Sequence, residues 1–216
     1  MEVVISLGGS TLIKEGKVDV PFLSRFISVF KSNVERGAIV VGGGSVAREY
    51  AKATYEITGN YGFADEVAIN ITRANASLVA KALNAKLILS PSEVLNEKYY
   101  VSGGFFPGIT TDSCAVLVAE AMGIKKVVNV SNVDAIYTKD PREPGAKKIE
   151  RMSIDELIAM SEEGDKRKPG GHFIFDVVAA KLAKRSLKEI HFVGKNIDEI
   201  EKAIKGEKHK GTVCYI

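Results

Sequence analysis

Two glycine clusters follow short apolar runs. Gly8-Gly9-Ser10 comes after Val3-Val4-Ile5-Ser6-Leu7, and Gly42-Gly43-Gly44-Ser45 comes after Ala38-Ile39-Val40-Val41. Glycine has no Cβ, so at such junctions successive backbone N–H groups come within hydrogen-bond reach of an anion. A helix starting just beyond adds the positive end of its dipole. Two such cradles, rather than one, point to two phosphorylated ligands that meet. Gly42 to Ala47 also fits G-x-G-x-x-A, the dinucleotide fingerprint. That fingerprint needs an acidic residue about 20 positions on, ending a second strand. Asp65 has roughly that spacing but heads a helical pattern after Gly59-Asn60-Tyr61-Gly62, which counts against a dinucleotide. No G-x-x-x-x-G-K-[ST] occurs, so a P-loop is excluded as a motif match.

Two later segments hold the remaining candidates. The stretch from Gly103 to Asp112 contains three glycines, a proline, Phe105, Phe106, Thr110, Thr111 and a carboxylate, directly ahead of a helical pattern. Thr111 or Asp112 is expected to cap that helix. Hydroxyls with free N–H groups at a helix start make an anion site. Phe105 and Phe106 could flank a flat base or simply pack, and Asp112 could organise cationic side chains or a metal ion. Cys114 falls in the first turn of the same helix, where a thiol pKa can drop; the alternative is a buried, inert thiol. The second segment, Ser131-Asn132-Val133-Asp134-Ala135-Ile136-Tyr137-Thr138-Lys139-Asp140-Pro141, follows a strand-like run. In open α/β sheets, ligands lie beyond the carboxyl ends of strands, where these loops and the glycine turns could converge.

The elements that would position these residues alternate. Continuous β-branched runs at 3–7, 38–41, 86–89, 127–130, 190–193 and 212–216 suit strands covered on both faces, as in a parallel sheet. Helical stripes lie between them: Phe22, Phe26, Ile27 and Phe30; then Ala64, Val67, Ala68, Ile71, Leu78, Val79 and Ala82; then Ala115, Val118, Ala119 and Met122, closed by Gly123. Ser153-Ile154-Asp155-Glu156 reads as a capping box, and Asp176 as the cap of a further helix. The pattern predicts an α/β fold, a mainly parallel central sheet sandwiched by helices, in one domain spanning 1–216.

The chain has 216 residues, 45% of them hydrophobic, with a net charge of +3, too small to imply nucleic acid by itself. Its Lys and Arg runs at 166–168, 181–188 and 205–210 read as solvated faces, or in part as contacts to an anionic substrate. The loop 165–171, basic and glycine-rich, is either of the kind that closes over a ligand or a plain surface loop, and His172 after it either faces that ligand or is an ordinary loop histidine. His191 and His209 have no metal-ligand neighbour at useful spacing, and no metal-binding side-chain set is expected. Two cysteines do not make a disulfide framework, no run reaches a membrane span, and no signal peptide is visible; a cytoplasmic protein is expected.

The motifs together resemble a known family. Leu7-Gly8-Gly9-Ser10, Val41-Gly42-Gly43-Gly44 with Arg48, Ile71-Thr72-Arg73-Ala74-Asn75-Ala76, Pro107-Gly108-Ile109-Thr110-Thr111-Asp112 and the 132–141 segment are similar, in the same order and over a comparable length, to the amino acid kinase family, and within it to the archaeal UMP kinase branch. The resemblance implies the α/β/α sandwich of that family and transfer of the ATP γ-phosphoryl group to UMP with Mg²⁺. By matching motifs it implies that Gly9, Ser10, Gly44 and Arg48 contact ATP phosphates, and that Ser131, Tyr137 and Asp140 line the ATP nucleoside. Gly43, Asp65 and the stretch Phe105, Phe106, Pro107, Gly108, Ile109, Thr110 and Thr111 would hold UMP, with Asp65 on the ribose hydroxyls. Asp112 and Asp176 would be organising carboxylates, with Arg48 the first-ranked catalytic cation. Members of this branch form hexamers. The chain departs from the wider family in carrying Ser6 where many members have a lysine, leaving Lys14, Arg48 and Lys166–Lys168 as replacement cations. It departs from the archaeal Thr-His-Pro-Gly-His-Thr-Thr pattern in having Phe106 and Ile109 at the histidines.

Overall fold

A computed structural model describes residues 1–164 and 175–216. The basic loop and His172 singled out above therefore lie outside the described residues. Strand β1 (Glu2–Leu7) runs into the one-turn helix α1 (Gly9–Leu12) and a hairpin of β2 (Ile13–Lys14) and β3 (Lys17–Val18). Helix α2 (Val20–Asn33) leads to β4 (Arg36–Val41), and α3 (Gly44–Thr58) and α4 (Tyr61–Leu83) follow in succession. Then come β5 (Lys86–Leu87), a 3-10 turn (Pro91–Glu93), β6 (Tyr99–Ser102) and α5 (Thr111–Met122). Beyond β7 (Lys126–Ser131) lie a second hairpin, β8 (Ile136–Tyr137) with β9 (Lys148–Ile149), then β10 (Arg151–Ser153) and α6 (Ile154–Gly164). The elements α7 (Val177–Ser186), β11 (Glu189–Gly194), α8 (Ile197–Lys205) and β12 (Thr212–Tyr215) follow.

The eight-stranded sheet has the order β10-β12-β11-β7-β1-β4-β6-β5. Every neighbouring pair is parallel except β11 with β12. The run at 212–216 therefore forms a strand, but one that reverses the sheet's direction. Residues 3–7 of β1 and 37–41 of β4 are buried throughout, as expected of strands with helices on both faces. One core lies between the sheet and α5, α6 and α7; it holds Cys114, Val118, Leu157 and Phe192. The other lies between the sheet and α2, α4 and α8; it holds Phe26, Phe30, Val79 and Ile200. Burying an aromatic such as Phe26 or Phe30 contributes about 1.5–3 kcal/mol each. The Asp19 carboxylate accepts from the Phe22 N–H to start α2.

Strand β6 is missing from the expected runs, and its chemistry explains why. Tyr99-Tyr100-Val101-Ser102 has one aliphatic residue, yet all four are buried. Burial rests on the tyrosine hydroxyls finding partners. Tyr99 Oη donates to the Val34 carbonyl at 2.7 Å, and Tyr100 Oη accepts from the Leu95 and Glu97 N–H groups at 2.7 and 2.9 Å. The two hairpins and β10 are only two or three residues per strand, too short to carry a period.

Candidate active site

The parallel register brings one set of strand ends together. Leu7 pairs with Val41 and with Val130, Val40 with Ser102, and Ser131 with Gly194. The loops after β1, β4, β6 and β7 thus leave from a single edge, with the order of strands reversing about β1.

The two glycine turns do not merely share this edge; their backbones touch. A Cβ built on Gly9 would lie 2.1 Å from the Gly44 nitrogen and 2.5 Å from the Gly42 oxygen, so no side chain fits. Gly44 itself has φ +69°, a conformation that favours glycine. Neither Gly8, the N-cap of α1, nor Gly43, the N-cap of α3, caps its helix with a side chain. The N–H groups of Gly9 and Ser10 in α1, and of Gly44, Ser45 and Val46 in α3, have no acceptor among the described residues and are left for a ligand or solvent, whereas the Thr11 N–H is bonded to the Gly8 carbonyl at 2.9 Å. Ser10 lies in α1 beside this contact, and Arg48 stands exposed one turn into α3.

Helix α5 enters from the third side. Its N-cap is Thr110, not Thr111 or Asp112: Thr110 is extended (φ −90°, ψ 171°) and its Oγ1 accepts from the Ser113 N–H at 3.4 Å. Thr111 and Asp112 are already helical, which places Asp112 in the first turn, facing the ends of β1 and β7. There Asp112 Oδ1 accepts from Ser6 Oγ at 2.7 Å and from Asn129 Nδ2 at 2.7 Å. Burial pushes the Asp112 carboxyl up to about 6; the Ser6 hydroxyl opposes this, the Asp176 charge adds to it, and the Asn129 amide opposes it. Asp176 is the N-cap of α7, accepting from the Val178 N–H at 3.1 Å. Its Oδ2 accepts from Thr110 Oγ1 at 3.0 Å and also from Ser113 Oγ. Helices α5 and α7 thus present their N-terminal turns and two carboxylates side by side. Asn129 carries no sequence signal beyond being the one amide in a valine-rich strand, and was not foreseen.

The loop from Gly103 to Thr110 is pinned from below by α4. Asp65 Oδ2 accepts from the Gly108 N–H at 3.0 Å. Phe105 is 7% exposed and packs in the core beside Cys114, so its ring is not free to flank a base; Phe106 is 51% exposed. Pro107 and Gly108 are exposed, Ile109 is partly buried, and Thr111 begins α5. Cys114 is buried and desolvation pushes its thiol up to about 12, the inert alternative.

The loop after β7 forms a separate wall. Ser131 Oγ donates to the Val133 carbonyl and accepts the Val133 N–H, closing a tight turn. Tyr137 Oη donates to Asp134 at 2.8 Å, and Asp140 pairs with Arg142 at 2.6 Å. Lys14 is exposed on β2. Lys195, at the same edge of the sheet, is already paired with Asp19 at 2.8 Å. Among the described residues no lysine or arginine bonds to Asp112; neutral donors fill that place.

The model of the amino acid kinase family matches residues 1–102 and 92–194. The chain belongs to the amino acid kinase family. It is 40% identical to the uridylate kinase of Thermococcus kodakarensis and 38% identical to that of Thermococcus onnurineus, in each case over 99% of both chains. Its fold superposes on the crystal structure of uridylate kinase from Archaeoglobus fulgidus with a TM-score of 0.85 at 33% identity, covering 99% of this chain and 100% of that one. The UMP kinase of Bacillus anthracis, 20% identical with a TM-score of 0.76, shares the same fold. The amino acid kinase sandwich expected from the motifs is the one observed.

Proposed function

We propose that this chain is a UMP kinase, transferring the γ-phosphoryl group of ATP to UMP to give UDP and ADP in pyrimidine nucleotide synthesis. The observation that carries the reading is the backbone contact between two uncapped glycine turns at one edge of the sheet, in a chain that matches uridylate kinases along its whole length. Phosphoryl transfer asks little covalent chemistry of a protein. It asks that donor and acceptor phosphates lie in line and that charge on the equatorial oxygens be neutralised. Turns in contact set the two phosphates close together.

In this reading Gly9, Ser10, Gly44 and Arg48 hold the ATP phosphates, and Ser131, Tyr137 and Asp140 line its nucleoside. Gly43, Asp65 and residues 105–111 hold UMP, with the Asp65 oxygen not engaged by Gly108 turned to the ribose hydroxyls. Phe105 contributes its backbone, Phe106 its exposed ring. Asp112 and Asp176 organise the charges about the transferred group, and Arg48 is the cation placed to stabilise it. No cluster of three metal-ligating side chains occurs among the described residues. Mg²⁺ brought in with the nucleotide would supply neutralisation of phosphate charge, with Asp112 and Asp176 the carboxylates available to it beside the transferred group. The protein acts in the cytoplasm as one domain spanning 1–216, assembled as a homo-oligomer, a hexamer by likeness to its family.

The test is an ADP-release assay with UMP, CMP, AMP, acetylglutamate and isopentenyl phosphate offered in turn. Release that depends on UMP is expected. Release with another acceptor and none with UMP assigns a different phosphotransferase; nucleotide-dependent stabilisation without any turnover assigns a sensor, the reading that Ser6 in place of a lysine would favour.

A further inference from the structure

One turn of α4 touches both phosphate-side loops through their backbones. Thr72, buried, accepts the Gly104 N–H on its Oγ1 at 2.7 Å and donates back to the Ile69 carbonyl at 2.7 Å. The next residue, Arg73, forks over the same loop: Nε donates to the Gly104 carbonyl at 3.2 Å and Nη2 to the Phe105 carbonyl at 2.8 Å. Two positions on, Asn75 Nδ2 donates to the Gly42 carbonyl at 2.9 Å, in the other glycine turn. The loop lies so close to this turn that a Cβ on Gly103 would sit 2.5 Å from Thr72 Oγ1 and 2.8 Å from the Arg73 nitrogen. The Thr72 methyl also faces Gly43, 3.3 Å from where a Cβ would be.

Arg73 is half-buried and makes no ion pair among the described residues; two of its five N–H donors bond loop carbonyls. A guanidinium fork can hold two carbonyls in a fixed relation, which a lysine cannot. Because a trans peptide sets N–H opposite C=O, drawing the Phe105 carbonyl toward α4 turns the Phe106 N–H away from it. That N–H has no acceptor among the described residues. The helix therefore decides which backbone donors the loop offers outward.

We propose that Thr72 and Arg73 are positioning residues for the acceptor subsite, holding the 103–108 loop in its ligand-ready shape, and that Asn75 ties this subsite to the neighbouring glycine turn. The assignment of that loop to UMP rests on the function proposed above; the mechanical role does not. Two readouts separate them. In steady-state kinetics Arg73→Met raises KM for UMP about tenfold or more, the scale of losing charge-assisted hydrogen bonds, and leaves KM for ATP within about twofold. Thr72→Val acts in the same direction and Thr72→Ser restores the parent value. By hydrogen exchange, backbone amides of 103–108 exchange about tenfold faster in Thr72→Val and Arg73→Met than in the parent, while those of β1 and β7 keep their protection. Unchanged exchange in this loop overturns the proposal. So does a KM for UMP that stays put, or one that rises in step with KM for ATP. If the parent protein does not phosphorylate UMP, the function proposed above fails, and the exchange experiment still decides the role of the helix.

Discussion

Asp112 is a carboxylate placed where its ionisation is contested. Burial and the nearby Asp176 charge favour the protonated form, while the Ser6 hydroxyl and the Asn129 amide favour the ionised one. If the charged form is the working one, kcat falls as pH drops through about 6. Asn129→Leu removes one of the two donors, so the acid limb of its pH profile moves to higher pH than in the parent. Linkage runs the other way for stability. A carboxyl raised in the folded state stabilises fully below its unfolded value of 3.8, and that contribution is lost as pH rises through about 6. Asp112→Asn is thus expected to resist urea better than the parent at pH 8, while losing activity. Arg48→Ala should lower kcat by about 10²–10³, as when one preorganised donor is removed elsewhere, with little change in melting temperature because Arg48 is exposed. Gly9→Ala is expected to lose both activity and stability, since its methyl would collide with backbone atoms of the second turn.

At the scale of elements, caps and pairs between strands and loops set local stability. Asn60 opens α4 by accepting the Phe63 N–H at 3.1 Å. Asn60→Ala should cost about 1 kcal/mol, read as a fall in the urea midpoint with KM for ATP unchanged. Ser153 and Glu156 form the reciprocal capping box expected at α6, with bonds of 2.7 and 3.3 Å. The lysines of α7 pair across the surface with acidic residues of α6, Lys181 with Glu162 and Lys184 with Asp155. Such exposed pairs contribute little, which suits a solvated face. Between β11 and the loop before β12, His191 Nδ1 lies 2.8 Å from His209 Nε2, and His209 Nδ1 accepts the Gly211 N–H. With that lone pair engaged, a neutral His209 donates to a neutral His191. Burial holds His191 down to about 4, with Glu189 opposing. A depressed histidine stabilises the fold above its unfolded value of 6.5, and the contribution is lost as pH falls through about 4. His191→Phe should therefore flatten the acid side of a stability profile between those values.

At the scale of the whole molecule, the α3–α4 pair leaves an apolar face outside both cores. Ile57 is 85% exposed, with Tyr50, Tyr61 and Phe63 exposed on the same two helices and Tyr55 stacked on Tyr61 at 4.2 Å. A homo-oligomer would cover such a surface. Ile57→Glu is expected to shift sedimentation toward smaller species, with the far-UV dichroism unchanged.

Much of this was legible in one dimension because it rests on local chemistry. Glycine clusters after apolar runs marked both turns, β-branched runs marked the central strands, and the caps Ser153, Asp176 and Gly123 marked helix ends. What stayed hidden depends on partners far apart in the chain. Strand β6 exists because Tyr99 and Tyr100 find acceptors and donors once folded. β12 runs antiparallel because its pairing with β11 sets the direction, which its own pattern does not contain. Asn129 meets Asp112, and α4 meets two loops, only after the sheet has set its register. Local residue preferences thus specified the pieces and the cradles, while the contacts that tune Asp112 and shape the loops come from long-range packing, whose energy no short window of sequence holds.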